Sequence, residues 1–127
     1  VIVVDTSTVM AIVLGEPSAD RCMDILEAAD ELVISAGTVA EILIVARRRN
    51  VGPEAASLIE GLGFQIAPVT LASARQVAQA YDRWGRGVHP AALNFGDCFA
   101  YAEARSSDSP LLFVGDDFSK TDVKVAT

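Results

Sequence analysis

Histidine, cysteine and tryptophan are scarce in this chain: one His, two Cys and one Trp among 127 residues. A lone His89, with Cys22 and Cys98 far apart, lacks the His/Cys ligand spacing of a zinc centre. Two cysteines are also too few for a disulfide framework, so the thiols are expected to stay reduced, as in a cytoplasm. Long apolar runs are missing too. The longest uncharged stretch, Gly61 to Ala74, contains Pro68 and falls short of the ~18–20 residues a membrane-crossing helix needs. Asp5 interrupts the first apolar run, so no secretory leader is read there, and a cytoplasmic protein with no membrane role is expected. Positive charge is in short supply: 10 Lys and Arg stand against 17 Asp and Glu, for a net charge of −7. A broad nucleic-acid-binding face normally needs clustered cations, and is not expected here.

Apolar content is abundant, at 51% of residues, which excludes intrinsic disorder. A chain of this length makes one domain, 1–127, able to bury roughly two thirds of its unfolded surface. Val1 to Val4, Leu32 to Ser35, Phe64 to Val69 and Leu111 to Val114 read as short buried strands. Helical spacing fills the intervals: Ser7 to Leu14, Ser18 to Ala29, Thr38 to Arg49, Pro53 to Leu62, Leu71 to Trp84 and Asn94 to Arg105. Val123 to Val125 could add an edge strand. The third helix is apolar nearly all round, which points to a subunit interface. Strands alternating with helices predict an α/β fold with a mainly parallel sheet and helices on both faces. Ligands of such sheets bind beyond the strands' carboxyl ends, where the strand order reverses.

The acids fall where that rule is informative. Asp5 directly follows the first strand, and Asp116 and Asp117 follow the last across Gly115. Glu41 and Asp97 are placed in the first turns of helices that begin near Thr38 and Asn94. Gathered carboxylates repel, so the group calls for cations or protons. Oxygen ligands with water suit a hard ion such as Mg²⁺ or Mn²⁺. Each acid also has a plain structural reading. Thr38-x-x-Glu41 and Asn94-x-x-Asp97 fit capping boxes. Asp5 could cap the first helix, although Ser7 can fill that role, and Asp116 and Asp117 could be turn residues. Only their joint placement favours a site.

Other groups carry less. Arg47, Arg48 and Arg49 complement a helix dipole. Arg83, Trp84, Arg86 and His89 surround a glycine-rich turn, and basic groups beside an aromatic suit single-stranded nucleic acid. An amphipathic helix end explains them equally well. Cys98 reads as core. An aspartyl phosphatase would want a second Asp where Ser7 stands, and a receiver domain would want an Asp after the third strand.

Four segments, in order, resemble one family: Val3-Val4-Asp5-Thr6-Ser7, Ser35-Ala36-Gly37-Thr38-Val39-Ala40-Glu41, Asn94-Phe95-Gly96-Asp97-Cys98-Phe99-Ala100-Tyr101 and Val114-Gly115-Asp116-Asp117-Phe118. Together they resemble the PIN-domain ribonucleases, and more narrowly the VapC toxins of type II toxin–antitoxin systems, almost end to end. The resemblance implies a single PIN domain, a three-layer α/β/α sandwich. It implies an endoribonuclease that hydrolyses RNA phosphodiester bonds with Mg²⁺, or Mn²⁺ as a substitute. Asp5, Glu41 and Asp97 match the family's metal-binding acids, and Ser7 a supporting hydroxyl, beside the helix-start residue Asn94. Asp117 is the better match for the fourth acid and Asp116 the second, since Gly115 stands where many relatives carry Asp. The family's partners would be RNA, a second copy of the chain, and a VapB-type antitoxin whose basic segment enters the acidic site. The alternative is a catalytically silent PIN-fold module acting through its antitoxin complex. On the ribonuclease reading, Asp5, Glu41, Asp97 and Asp117 supply four of the net negative charges, so acidity excludes an RNA coat and not an RNA-cutting site.

Overall fold

The computed structural model describes residues 1–127. The apolar runs form four strands: β1 (Ile2–Val4), β2 (Leu32–Ser35), β3 (Gln65–Ala67) and β4 (Leu111–Leu112). They make one sheet in the order β3-β2-β1-β4, parallel at every pairing. Six helices accompany it: α1 (Thr6–Val13), α2 (Ala19–Ala28), α3 (Ala36–Arg48), α4 (Gly52–Leu62), α5 (Leu71–Trp84) and α6 (Phe95–Ser106). A 3-10 turn follows at Phe118–Lys120.

Alternation along the strands divides the core into two. Val3, Val33 and Leu111 point to one face and pack with Val77, Trp84, Leu93, Cys98 and Tyr101 from α5, α6 and the loop between them. Val4, Ile34 and Leu112 point to the other and pack with Val9, Leu26, Ile42, Ala46 and Ala55 from α1 to α4. Helices therefore cover both faces, the three-layer α/β/α arrangement expected, with a sheet that is parallel throughout. No helix is long and apolar enough to cross a membrane.

Several boundaries differ from the sequence reading, each for a local reason. β4 stops after Leu112 because the Val114 N–H turns to Ser7 Oγ, at 2.9 Å, instead of a neighbouring strand. β3 ends before Pro68, which has no N–H to extend the ladder. The edge strand expected near Val123–Val125 shrinks to a single bridge between Leu111 and Val125. α3 starts earlier than expected: Ser35 is its N-cap and accepts from the Gly37 N–H at 3.1 Å. Thr38 is thus buried inside the helix and Glu41 moves to the second turn, so the Thr38–Glu41 capping box does not form. In α1 the cap is Asp5 and not Ser7, which lies within the helix. Nor is α3 buried all round. Ile42 and Ala46 are enclosed, whereas Leu43 and Ile44 are exposed.

The chain runs from β1 to β2 and β3 on one side, then returns to place β4 on the other side of β1. The strand order therefore reverses between β1 and β4, which opens a crevice at their carboxyl ends. Asp5 leaves β1 at that point, and Asp116 and Asp117 follow β4.

Candidate active site

Asp5 is set by the junction of β1 and α1. As N-cap it has an extended backbone (φ −92°, ψ 159°), and its Oδ2 accepts from the Ser7 N–H at 3.0 Å and the Ser7 hydroxyl at 2.7 Å. Ser7 Oγ in turn accepts the Val114 N–H, so one hydroxyl ties the ends of β1 and β4 together. The other oxygen, Asp5 Oδ1, is buried with no hydrogen-bond partner, in a residue only 2% exposed. Burial pushes this carboxyl up from its ordinary 3.8 to about 7; the Ser7 bonds oppose the rise, and the charges of Asp97 and Glu41 add to it.

Glu41 reaches the same place from the second turn of α3. Its Oε1 accepts from the Thr6 hydroxyl at 2.5 Å. Its carboxylate lies against Gly96, so closely that a Cβ there would overlap Oε2 above all, and Cδ and Oε1 as well. Neither Thr6 nor Gly96 was singled out by sequence reasoning. The signals were a hydroxyl directly after Asp5, and a glycine in the opening turn of a helix, where it is a poor helix former.

Asp97 sits at N3 of α6 in a complete capping box. Its backbone N–H donates to Asn94 Oδ1 at 2.8 Å, while its Oδ2 accepts the Asn94 N–H at 3.0 Å. Burial raises its carboxyl to about 6; the bond from Asn94 opposes this, Glu41 and Asp117 raise it further, and Arg86 lowers it. Capping and membership of the acidic group are therefore not alternatives for Asp97, nor for Asp5.

The crevice thus brings Asp5, Glu41 and Asp97 within electrostatic reach of one another, with Asp117 bearing on Asp97. Asp116 is exposed, and its carbonyl accepts from the Ser119 hydroxyl at 2.6 Å, as in an ordinary turn. Ser7 and Asn94 each hold an acid. His89 does not join the group, because its Nδ1 accepts the Ala91 N–H and its ring meets Trp84 edge-on. Arg83 covers Trp84 and pairs with Asp122 at 3.5 Å. Cys98 is fully buried, with its thiol pushed up to about 11 by burial.

An acidic group of this kind is costly without a counter-charge, and it has two remedies: protons, as the raised carboxyls of Asp5 and Asp97 indicate, or a cation. Three features fit a hard divalent ion. The donors are all oxygen, one of them is buried and orphaned, and the N-terminus of α6 opens onto the same crevice. No three of the side chains stand at the separations of a filled metal site.

Comparison with known proteins extends this picture. The PIN domain family profile matches residues 2–124. Ribonuclease VapC36 of Mycobacterium tuberculosis is 45% identical over 127 residues, spanning 96% of this chain and 91% of that protein. Among solved structures, M. tuberculosis VapC20, described as a sarcin-ricin loop cleaving toxin, matches with a TM-score of 0.79 at 18% identity, covering 97% of this chain and 96% of that one. A toxin–antitoxin complex from Klebsiella pneumoniae matches with a TM-score of 0.71 at 15% identity, over 96% of this chain and 93% of that one. At such identities the structural matches speak to the fold alone.

Proposed function

The chain belongs to the PIN domain family, among its VapC ribonucleases, and on that premise we propose that it is a divalent-metal-dependent endoribonuclease, the toxin of a type II toxin–antitoxin pair. The observation that carries this reading is the buried, partnerless Oδ1 of Asp5, in a carboxyl that burial and the charges of Asp97 and Glu41 raise to about 7.

Asp5, Glu41 and Asp97 would hold Mg²⁺ or Mn²⁺, with Asp117 at the rim. Such an ion, when bound, supplies a nucleophile at neutral pH and neutralises charge on the leaving oxygen. The chain's own groups do the rest. Ser7 and Asn94 each bind one oxygen of their acid and so hold its rotamer. Arg86, whose charge reaches Asp97, offers a guanidinium to an approaching phosphate. No general-base histidine is required, which agrees with His89 being bound to its own loop. The same acidic crevice suits a basic side chain from an antitoxin, and the exposed Leu43 and Ile44 on α3 suit a second copy of the chain. A cytoplasmic location follows from an RNA substrate.

Incubating the purified protein with total RNA, with Mg²⁺ or with EDTA, and mapping the new ends tests the proposal. Cleavage should require the metal and disappear in Asp97→Asn, while that variant keeps its circular dichroism spectrum. Cleavage that persists undiminished in Asp97→Asn, or in EDTA, would overturn the metal mechanism. A wild-type protein that binds its antitoxin but cuts nothing would favour the silent module.

A further inference from the structure

The three acids share a pattern. Asp5 commits Oδ2 to Ser7, Asp97 commits Oδ2 to the Asn94 N–H, and Glu41 commits Oε1 to Thr6. Each has its second oxygen free of protein hydrogen bonds, and for Asp5 that oxygen is sealed from solvent as well. Ser7 and Asn94 are local partners, two and three residues from their acids. Glu41 differs. Its long side chain comes from another helix, with more rotatable bonds to restrain, and its donor lies 35 residues away in the chain. Its carboxylate also fills the space left by the missing side chain of Gly96 on α6, where a Cβ would overlap Cδ and both oxygens.

We infer that Thr6 and Gly96 are positioning residues that together clamp Glu41, leaving it one free oxygen beside Asp5 and Asp97, and that the clamp sets which divalent cation the crevice prefers. The inference rests on the metal-dependent reading above. A site offering few protein oxygens, one from each acid, suits a small ion that keeps several of its waters, such as Mg²⁺ or Mn²⁺. Ca²⁺ takes more oxygens and often both oxygens of one carboxylate. Freed from Thr6, Glu41 could turn both oxygens inward. The clamp therefore works against Ca²⁺ by withholding Oε1, and it works for Mn²⁺ by holding Oε2 in place.

The two halves of the clamp act differently. Thr6→Val keeps the shape and removes the donor, leaving Oε1 unheld. Thr6→Ser keeps the donor. Gly96→Ala would drive a methyl group into Oε2 and displace the carboxylate whatever Thr6 does.

The test is a calorimetric titration of the full-length protein with Mn²⁺ and separately with Ca²⁺, alongside thermal unfolding in EDTA to confirm that each variant is folded. Thr6→Val should weaken Mn²⁺ binding roughly 10- to 100-fold, the usual effect of losing a group that orients a metal ligand, and should shift the preference toward Ca²⁺. Thr6→Ser should restore both values. In a Glu41→Ala background Thr6→Val should have no further effect on either ion, which a general structural role for Thr6 would not produce. Gly96→Ala should match Glu41→Ala in Mn²⁺ affinity; should it fail to fold, the Thr6 series decides alone. Wild-type affinities and an unchanged Mn²⁺/Ca²⁺ preference in Thr6→Val would overturn the clamp. So would a wild-type chain that binds no Mn²⁺. RNA cleavage, measured separately, distinguishes the two readings. A protein that binds Mn²⁺ with a Thr6-dependent preference yet cuts no RNA defeats the ribonuclease assignment and leaves the clamp standing. One that cuts RNA while Thr6→Val titrates as wild type defeats the clamp alone.

Discussion

Replacing Asp5 with asparagine should stabilise the metal-free protein at neutral to alkaline pH while removing its metal response. The Asp5 carboxyl titrates at about 7 in the folded protein against an ordinary 3.8. Between those values the folded state holds a proton that the unfolded state has released. Stability must then fall as pH rises from about 4 to about 7, and level off above, because the folded state binds more protons over that interval. The interval is a little over three pH units, and at about 1.36 kcal/mol per unit the loss comes to about 4 kcal/mol at most from this group. The substituted asparagine could still accept both Ser7 bonds through its amide oxygen. Its amide nitrogen would occupy the partnerless Oδ1 position, at a penalty of about 1–3 kcal/mol. The balance is a gain of about 1–3 kcal/mol for Asp5→Asn at pH 8, turning to a loss of about 1–3 kcal/mol near pH 4, where the native carboxyl is neutral and only the unpaired amide counts. Urea unfolding in EDTA from pH 4 to pH 8 measures this directly, since both proteins share every other titrating group. Mn²⁺ should then raise the unfolding midpoint of wild type and leave that of Asp5→Asn nearly unchanged. Equal pH slopes in the two proteins, or a variant less stable than wild type at pH 8, would refute the account of Asp5 as a buried carboxyl awaiting a cation.

Three further outcomes are expected. Tyr101→Phe removes the hydroxyl that accepts from Trp84 Nε1 at 2.9 Å and donates to Asp122. Leaving a buried indole N–H without an acceptor should cost about 1–3 kcal/mol in thermal or urea unfolding, and a wild-type midpoint would contradict this. Ile44→Asp places a charge on the exposed face of α3, where Ile44 is 58% exposed. If that face joins two copies, sedimentation should show wild-type dimers and variant monomers, with an unchanged unfolding midpoint for the variant. A short peptide carrying arginine should bind the metal-free protein and be displaced by Mn²⁺, with both effects weakened in Asp97→Asn. Simultaneous binding of peptide and Mn²⁺ in fluorescence titrations would place the peptide outside the acidic crevice.

The strand and helix positions were legible because apolar periodicity and turn residues act within a few positions of the chain. Leu32–Ser35 and Leu71–Trp84 appear in the structure with the ends read from the sequence. The misread features sit at strand ends and at helix starts. Thr38-x-x-Glu41 has the letters of a capping box, yet Ser35 reaches the free N–H groups first and the helix begins upstream. The Asn94–Asp97 box forms as read, because no earlier residue competes for its N–H groups. Choosing between a cap and a site proved needless for Asp5 and Asp97. A carboxylate has two oxygens, and one can hold the helix end while the other faces the crevice.

The chain's order of residues was enough to place four acids at or near the carboxyl edge of a parallel sheet and to show that the His/Cys spacing of a zinc centre is lacking, since these depend on composition and on spacing within single elements. The oxygens left free within that group depend on the assembled fold. Thr6 meets Glu41 across 35 residues and Ser7 meets Val114 across 107. Such contacts exist only after the parallel sheet has brought β1, α3 and β4 to one crevice. Gly96 likewise matters for the side chain it lacks, a property visible only once Glu41 is seen lying against it. On the proposed reading, the shortage of cations with which the sequence began is met at this crevice by a charge from outside the chain.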